Sequence, residues 1–292
     1  VRRIPESCWR HTLDIAPAAG PHSRPVDTLK ERVAVVTGGA SGIGRALCLA
    51  FAREGARVVV ADLDEPGMAE TAALVESAGA RAITVKTDVS RLDDVQALAD
   101  RACRDFGGTH VLCNNAGVAI SGGLESASHG DWEWLIGVNL WGVIHGIEAF
   151  VPRMIAQKQG GHIINTASMA GLIASQGLGV YNTTKYAVVG LSETLQKDLR
   201  PYGIGVSVLC PMGVTTNIRQ SARNRPAHLE NPQSPPGSEV ELIGQYLSPE
   251  YVAERVLRAV RANRLYVITH EEGREPLRRR FERLAQGMEA SR

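Results

Sequence analysis

Short apolar runs alternate with helical stretches along most of this chain, and that alternation restricts the possible folds more than any other feature of the sequence. The apolar runs are Val33–Val36, Arg57–Ala61, Ala82–Val85, His110–Cys113, His162–Asn165, Gly205–Cys210 and Leu265–Thr269. Helical periodicity marks Ile43–Arg53, Pro66–Ser77, Leu92–Phe106, Asp131–Ala156, Gly179–Arg200 and Pro249–Ala262. Strands that alternate with helices of this length form βαβ units, so the sequence predicts a parallel sheet covered by helices on both faces.

The carboxyl ends of the strands are the expected ligand site, because open parallel sheets bind ligands beyond those ends, where the strand order reverses. The turn after the first strand reads Thr37-Gly38-Gly39-Ala40-Ser41-Gly42-Ile43-Gly44. Its glycines permit positive φ and let the backbone approach a phosphate. The helix that follows directs free N–H groups and the positive end of its dipole at the pyrophosphate. A strand, a glycine turn and a helix in this order indicate a dinucleotide site.

An acidic residue follows the second strand. Asp62 lies 18 residues beyond Gly44, near the spacing at which a carboxylate accepts hydrogen bonds from the adenosine ribose hydroxyls. The same carboxylate repels a 2′-phosphate and the adjacent Leu63 adds no positive charge, so this pair favours NAD over NADP. A helix N-cap is the alternative role for Asp62, and Asp64, just before Glu65, suits that role better.

Two further turns carry candidate cofactor contacts. Asp88-Val89 follows the third strand, where the carboxylate and adjacent backbone can meet the adenine edge, and an N-cap role for Asp88 together with Ser90 stays open beside it. After the fourth strand comes Asn114-Asn115-Ala116-Gly117. Small residues there let the backbone pass close to the nicotinamide ribose, and the asparagines can hydrogen-bond to neighbouring strands.

A tyrosine and a lysine four residues apart are the candidates for acid–base chemistry. Tyr181 and Lys185 share one face of a predicted helix, and Ser168 follows the fifth strand, 13 residues before Tyr181. Oxidation of an alcohol needs a base that takes the hydroxyl proton as hydride leaves. The pKa of an ordinary phenol, about 10, is too high for that task at neutral pH. We expect the Lys185 ammonium and a positively charged nicotinamide ring to lower the pKa of Tyr181.

Between about Lys30 and Thr269 the chain resembles the short-chain dehydrogenase/reductase family in its common single-domain form. The resemblance is carried by the Thr-Gly-x-x-x-Gly-Ile-Gly turn at 37–44, by Asn-Asn-Ala-Gly at 114–117, by Ser168 and by Tyr181-Asn182-Thr183-Thr184-Lys185. It implies that Tyr181 is the acid/base, that Ser168 hydrogen-bonds the substrate oxygen, and that Lys185 holds the nicotinamide ribose and lowers the tyrosine pKa. It also implies that Asn139, inside the long helix, positions a water for a proton relay.

One segment departs from the family pattern. After the sixth strand the family usually has Pro-Gly-x-Val-x-Thr, whereas this chain has Pro211-Met212-Gly213-Val214-Thr215-Thr216. Met212 replaces the usual glycine, and a glycine follows one place later. Pro211, Val214 and Thr216 stay aligned with the family positions that bind the cofactor, and Val214 and Thr216 match those that touch the nicotinamide carboxamide.

The fold that this resemblance implies is a doubly wound parallel sheet, the Rossmann fold, with three α/β/α layers in a single domain. We expect the catalytic domain at 29–270, with a substrate lid at about 217–247. Residues 1–28, broken by four prolines, are expected to be a disordered extension, with an arm that clasps a partner subunit as the alternative. A C-terminal amphipathic helix or tail is expected at 271–292. The expected assembly is a homodimer or homotetramer.

Composition excludes several classes of partner. The 292 residues carry a net charge of +1, so no concentrated basic footprint predicts binding to nucleic acid or to an acidic membrane. No apolar run approaches the roughly 18 residues of a membrane span, and the N-terminus lacks the apolar core of a secretory signal. The five cysteines follow no metal-ligand spacing. These features predict a cytoplasmic protein without disulfides or a metal site.

The substrate side is expected to be mainly apolar. The irregular lid contains Arg219, Arg223 and Arg225, which either read an anionic substrate group or form a solvated basic face. In the C-terminal segment Arg274–Met288, apolar residues at spacings of 4, 3 and 4 predict an amphipathic helix on its own domain or on a partner subunit. The apolar residues expected around the reacting centre are Val118, Ala119, Ile120, Met169, Ala170, Leu172 and Ile173.

The function that these features favour is hydride transfer between NAD(H) and a lipophilic alcohol or ketone. Two alternatives stay open. One is a carbonyl reductase that prefers NADP, and the other is a dinucleotide sensor that kept the fold without turnover. The presence of all four catalytic residue types argues against the sensor, because a sensor has no need of the Tyr181–Lys185 pair.

Overall fold

The computed structural model describes residues 28–231 and 245–289, and seven parallel strands form one sheet within them. The order of the strands across the sheet is β3-β2-β1-β4-β5-β6-β7. Their bounds are β1 Val33–Thr37, β2 Arg57–Asp62, β3 Ala82–Lys86, β4 Val111–Asn114, β5 Gly161–Thr166, β6 Ile204–Cys210 and β7 Tyr266–Ile268. This confirms the predicted doubly wound parallel sheet, in which the strand order reverses between β1 and β4.

Helices cover both faces of the sheet. Their bounds are α1 Gly42–Arg53, α2 Glu65–Ser77, α3 Leu92–Phe106, α4 His129–Ile136, α5 Gly142–Gln157, α6 Gly179–Leu199, α7 Pro249–Arg261 and α8 Arg274–Glu289. All five residues of β1 are buried, and its side chains alternate between two cores. Ala34 and Val36 pack with α1 and α7, whereas Val33 and Val35 pack with α3 and α5. This period of two explains why a strand between two helical layers is apolar at every position.

The long helix predicted at Asp131–Ala156 is present, with an irregularity that its apolar pattern did not show. It begins at His129, where Ser128 and Asp131 form a reciprocal capping box, and it ends at Gln157. Residues Gly137–Trp141 between α4 and α5 form a π-helical turn. By length and composition this helix is apolar enough to cross a membrane, but 56% of its most apolar window is buried inside the structure, as expected for a core helix.

The structure describes most of the predicted C-terminal segment but almost none of the predicted N-terminal extension. Within the segment 271–292, residues Arg274–Glu289 form helix α8. The expected extension at 1–28 lies outside the described residues except for Thr28. Within the predicted lid, the described part contains two short 3-10 turns, Asn217–Asn224 and Ala227–Leu229.

Four cysteines lie in the described part of the chain, and all four are free thiols. Cys48, Cys113 and Cys210 are buried, and burial raises the pKa of each thiol above its ordinary value. A buried thiol of this kind packs as a small hydrophobic group.

Candidate active site

A cavity of about 1270 Å³ opens at the carboxyl ends of the strands. Of the residues predicted to be catalytic or to bind the cofactor, only Asn139 does not line it. The lining residues include Gly38, Ser41, Gly42, Ile43, Gly44, Asp62, Leu63, Asp88, Val89, Asn115, Ala116, Gly117, Ser168, Tyr181, Lys185, Pro211, Val214 and Thr216. A single cavity at this edge of the sheet is where a parallel α/β fold places its ligand.

The glycine turn has the shape that a pyrophosphate needs. A Cβ added at Gly44 would lie 1.9 Å from the Gly38 carbonyl oxygen, and Gly42 has a φ of +52° with its missing Cβ 2.9 Å from Thr216 Cγ2. The N-cap of α1, Ser41, makes no side-chain cap, and no acidic residue lies in the first turn. The N-terminal N–H groups of α1 are thus left for an anion from outside the helix, so the turn fits a dinucleotide.

Asp62 is held rigidly at the end of β2. One carboxylate oxygen accepts a hydrogen bond of 3.0 Å from the Ala40 N–H, and the other accepts bonds from the N–H groups of Leu63 and Asp64. Asp62 is therefore not the cap of α2. Asp64 has that role, because its side chain accepts a bond from the Gly67 N–H, as the sequence predicted.

Two basic residues lie near Asp62, and both are occupied. Lys86, its neighbour on β3, forms an ion pair of 2.7 Å with Glu65, and Arg45 follows the glycine turn directly. Arg45 donates to the Ala40 carbonyl at 2.6 Å and to Thr71 Oγ1 at 2.9 Å, and it forms an ion pair of 2.9 Å with Glu70. These bonds hold the cation between the glycine turn and α2. Asp62 forms no ion pair within the described residues.

Asp88 and Val89 line the cavity just beyond β3. Asp88 accepts bonds from the backbone N–H and the hydroxyl of Ser90, whereas the N-cap position of α3 is Arg91. The alternative of a helix cap for Asp88 is therefore wrong, because its carboxylate closes a turn before the helix begins. The carbonyl oxygen of Val89 lies 2.9 Å from His145 Nδ1, which fixes this backbone in place.

The asparagines after β4 connect neighbouring strands as predicted. Asn114 donates to the Asn165 side chain at 2.9 Å, and Asn165 donates in turn to Ser192 in α6. Asn115 donates through its amide to the Thr37 carbonyl at 3.0 Å. These bonds align the ends of β1, β4 and β5, so the small residues that follow Asn115 lie at the centre of the cavity.

Tyr181 and Lys185 lie beside one another on α6, with Ser168 facing them from the end of β5. Lys185 Nζ is 5.5 Å from the centre of the Tyr181 ring and donates to the Thr166 carbonyl at 2.9 Å. Burial lowers the pKa of Lys185 to about 8. Ser168 accepts a bond from the Ala170 N–H and donates to the Pro211 carbonyl.

The expected lowering of the tyrosine pKa does not arise from the protein's own groups. Burial raises the pKa of Tyr181 to about 12, and a hydrogen bond with Ser168 opposes that rise only in part. The physical reason is that a buried phenolate loses its hydration, and a lysine whose own charge is destabilised by burial compensates weakly. Any lowering of this pKa needs further positive charge at the site.

Asn139 is fully buried in the π-helical turn. Its side-chain oxygen accepts from the Val118 N–H at 2.9 Å, and its amide donates to the Val118 carbonyl and to Thr184 Oγ1. A Cβ added at Gly117 would lie 3.4 Å from Asn139 Oδ1 and 3.6 Å from Lys185 Nζ. Asn139 thus holds the backbone at Val118, after β4. Its Oδ1 faces Lys185 Nζ across Gly117.

Residues 211–216, which depart from the family pattern, are held by hydrogen bonds from two other parts of the chain. Leu247 donates its N–H to the Gly213 carbonyl at 3.0 Å and accepts from the Thr215 N–H. His270, at the end of β7, contacts the backbone of both Met212 and Gly213. Val214 is buried, and Thr216 caps the 3-10 turn that follows.

Six of the seven apolar residues expected around the reacting centre line the cavity, namely Val118, Ala119, Ile120, Met169, Ala170 and Ile173. Leu172 does not line the cavity and packs instead into the core between the sheet and α6. Wall residues that the sequence reasoning missed are Trp134, Val138, Ser175, Gln176, Leu178, Tyr246, Glu272, Gly273 and Pro276. The helical period of the predicted long helix could have indicated Trp134 and Val138, which lie four residues apart on one face.

Arg225 differs from the other lid arginines because it forms a buried ion pair with Asp131. We call this pair the Asp131–Arg225 anchor. The two charged groups are 2.7 Å apart, and their side chains are only 2% and 8% exposed. Arg225 also donates to the Leu229 carbonyl and lies 5.1 Å from the Trp134 ring. Asn231 donates to the same Asp131 carboxylate at 2.6 Å. Burial alone would raise the pKa of Asp131, but the Ser128 N–H, Arg225 and Asn231 hold it below its usual value.

Comparison with known proteins assigns the family. A family model described as short chain dehydrogenase matches residues 32–227. The chain belongs to this family. It is 37% identical over 261 residues to the C alpha-dehydrogenase of a Sphingobium species, with 87% of this chain and 85% of that protein covered. It is 36% identical over 261 residues to the 1-deoxy-11-beta-hydroxypentalenate dehydrogenase of Streptomyces exfoliatus, with 87% and 88% covered.

A solved member of the short-chain dehydrogenase family shares this fold. The structure of a short-chain dehydrogenase/reductase from Burkholderia phymatum in complex with NAD has a TM-score of 0.82 and 39% identity. The alignment covers 89% of this chain and 96% of that chain. Members of the family bind a nicotinamide dinucleotide and act as oxidoreductases on CH–OH groups. This chain is therefore an oxidoreductase with a Rossmann fold.

Proposed function

We propose that this protein is an NAD-dependent dehydrogenase or reductase that interconverts a lipophilic alcohol and its carbonyl compound. One observation carries the proposal. Ser168, Tyr181 and Lys185 line the same cavity as the uncapped N-terminus of α1 and the fixed carboxylate of Asp62. A dinucleotide sensor without turnover has no need of a buried lysine beside a phenol, so the pair favours an enzyme.

The reacting groups divide the chemistry between them. When bound, NAD supplies the carbon that accepts a hydride from the carbinol carbon. Tyr181 accepts the hydroxyl proton in oxidation and returns it to the carbonyl oxygen in reduction. The Ser168 hydroxyl hydrogen-bonds the substrate oxygen and holds it beside the phenol. The Lys185 ammonium stabilises the phenolate and holds the nicotinamide ribose.

Asn139 contributes to the movement of the proton. Both hydrogens of its amide are bound to protein atoms, and its oxygen retains one lone pair beyond the bond from Val118. The space kept open by Gly117 lies between that oxygen and Lys185 Nζ. We assign to Asn139 the positioning of a water that connects Lys185 to solvent.

Asp62 supports NAD rather than NADP as the cofactor. Three backbone N–H groups hold its carboxylate at the end of β2. The neighbouring cations are occupied, Arg45 by Glu70 and a backbone carbonyl and Lys86 by Glu65. A 2′-phosphate near this carboxylate would meet a like charge that nothing beside it neutralises. Leu63 and Asp88 complete the adenosine side of the site.

The substrate is proposed to be lipophilic because apolar side chains surround the space beside Tyr181. Val118, Ile120, Met169 and Ile173 line that wall, and Trp134 closes it from α4. The Streptomyces relative is named for a hydroxylated substrate, which agrees with chemistry at a CH–OH group.

Two further properties complete the proposal. Free buried thiols fit a reducing compartment, so we place the protein in the cytoplasm. Phe281 and Leu284 of α8 are more than half exposed, which supports a homodimer or homotetramer in which a partner covers them.

The test is turnover with a panel of secondary alcohols, followed by the appearance of NADH. We expect oxidation of apolar alcohols and little oxidation of sugars. Tyr181→Phe should lower kcat by roughly 10²–10⁴ while the NADH dissociation constant stays within about twofold. Tyr202→Phe, at an exposed tyrosine outside the cavity, is the matched control. Activity of Tyr181→Phe above a tenth of the wild type would remove Tyr181 from the acid/base role.

A further inference from the structure

His270 lies directly after β7 and is almost fully buried. Its ring reaches across to the loop after β6, where Nε2 is 3.0 Å from the Gly213 carbonyl oxygen. Nδ1 is 3.3 Å from the Met212 backbone nitrogen and 2.7 Å from the hydroxyl of Thr269. One imidazole therefore contacts a backbone donor and a backbone acceptor on adjacent residues of the same loop.

These contacts fix the state of the ring. Because the Met212 N–H can only donate, Nδ1 must carry the lone pair, and Nε2 then carries the hydrogen that is donated to Gly213. The neutral Nε2–H tautomer satisfies every contact. The alternative Nδ1–H tautomer would place two hydrogens together at Met212 and two lone pairs together at Gly213.

The same loop carries the departure from the family pattern. Met212 occupies the place of the usual glycine, and its side chain extends toward the C-terminal segment. A Cβ added at Gly273 would lie 2.7 Å from Met169 Cε and 3.6 Å from Met212 Sδ. Met169, Met212 and Gly273 all line the cavity. The segment from His270 to Gly273 therefore supports both the backbone and the side chain of this loop.

We propose that His270 is a positioning residue for the nicotinamide, acting as a two-ended clamp on the backbone of Met212 and Gly213. The proposal rests on the proposed function and on the match of Val214 and Thr216 in this loop to the family positions that touch the nicotinamide carboxamide. The clamp holds Val214 and the residues beside it at the depth that hydride transfer requires. An error of about 1 Å in that placement can cost roughly 10²-fold in rate.

Three variants separate the two ends of the clamp. His270→Ala removes both contacts, His270→Gln keeps a donor near the place of Nε2, and His270→Asn keeps an acceptor near the place of Nδ1. We expect His270→Ala to lower the rate of hydride transfer in a single turnover by about 10–100-fold. The NADH dissociation constant should change less than threefold, because the adenosine half of the site is untouched. His270→Gln should restore most of the rate, and His129→Gln, at an exposed histidine outside the cavity, is the control.

A measurement on the protein alone tests the clamp without turnover. Amide exchange at Met212, followed by NMR, should be at least tenfold faster in His270→Ala than in the wild type, and the ring nitrogens of His270 should report the Nε2–H tautomer. Wild-type exchange and wild-type hydride transfer in His270→Ala would overturn the clamp. If that variant does not fold, wild-type exchange at Met212 in His270→Gln, which lacks the acceptor for that N–H, together with wild-type hydride transfer in His270→Asn, which lacks the donor to Gly213, overturns it. If the wild type neither binds NADH nor oxidises alcohols, the proposed function fails, and the exchange comparison still decides the contact.

Discussion

The Asp131–Arg225 anchor gives the sharpest prediction about the substrate wall. It joins the lid to the start of α4, where a Cβ added at Gly130 would lie 2.7 Å from the Leu229 carbonyl oxygen. The lid segment therefore packs directly on the helix, with the ion pair enclosed beside Trp134. We expect Asp131→Asn to leave the guanidinium buried without a counter-charge.

The size of the effect follows from burial. Removing one partner of a buried ion pair typically costs about 3–5 kcal/mol, because the remaining charge stays desolvated. Arg153 and Asp100 form an ion pair of the same length, 2.7 Å, with side chains 38% and 60% exposed. A pair exposed to that extent contributes about 0–1 kcal/mol, so Arg153→Met is a control matched in distance and different in burial.

Urea denaturation of Asp131→Asn, Arg225→Met and the double variant measures the coupling. We expect each single variant to lose about 3–5 kcal/mol and the double variant to lose clearly less than their sum, since no uncompensated charge remains. The KM for the alcohol should rise several-fold in Asp131→Asn, while the KM for NAD changes little. Losses no larger than in Arg153→Met, or strictly additive losses, would refute the role of the anchor.

Three other predictions follow from single positions. Asp62→Ala should shrink the preference of kcat/KM for NAD over NADP at fixed salt, and a wild-type preference for NADP would exclude Asp62 as the ribose acceptor. Gly44→Ala should weaken NADH binding more than tenfold in a fluorescence titration, because its Cβ would meet the Gly38 carbonyl, whereas Gly190→Ala, with no atom within 4 Å, should not. Burial lowers the pKa of His162 from 6.5 to about 3. As the pH falls, the unfolded chain therefore binds the proton before the folded chain does. The free energy of unfolding that is present above pH 6.5 is lost as the pH falls toward 3. Between pH 7 and 4.5, wild type should lose about 2–3 kcal/mol more in urea denaturation than His162→Gln, and equal losses would contradict the assignment.

The helices and strands could be predicted because each depends on a local pattern. β1 is buried on both faces, so four apolar residues follow one another in its sequence. Such a run is not mistaken for a loop. The ends differ by a residue or two, as with the fourth strand, which begins at Val111 rather than His110. The His110 backbone still bonds to Val33 and His162, and its ring accepts the Val33 N–H and contacts Gln159.

The candidate site could be located from sequence because parallel strands bring their carboxyl ends to one edge. Contacts between distant segments could not be predicted in the same way. Arg219, Arg223 and Arg225 look equivalent in the sequence, and only packing separates Arg225, whose partner Asp131 lies 94 residues away. The π-helical turn around Asn139 also leaves the apolar pattern of the long helix intact, so nothing in the sequence reveals it.

The pH dependence of alcohol oxidation follows from the two buried groups on α6. With a pKa of about 8 for Lys185 and about 12 for Tyr181, the form with both groups protonated dominates below pH 8. The reactive form has a phenolate beside an ammonium, and it has lost one proton from that state. Its population therefore rises about tenfold for each pH unit below 8.

Above pH 8 the dominant form is a neutral phenol beside a neutral amine. That form carries the same number of protons as the reactive phenolate–ammonium pair, so further increase of pH does not change the ratio between them. We expect kcat/KM for oxidation to rise up to about pH 8 and then to level off, because the pKa of Lys185 is about 8. Lys185→Met removes the group that titrates there, so its much lower rate should continue to rise toward the pKa of the phenol. A bend near pH 8 that persists in Lys185→Met would show that another group sets the profile. The measurement is kcat/KM between pH 6 and 10 at constant ionic strength, with hydride transfer checked as the slow step by the isotope effect of a deuterated alcohol.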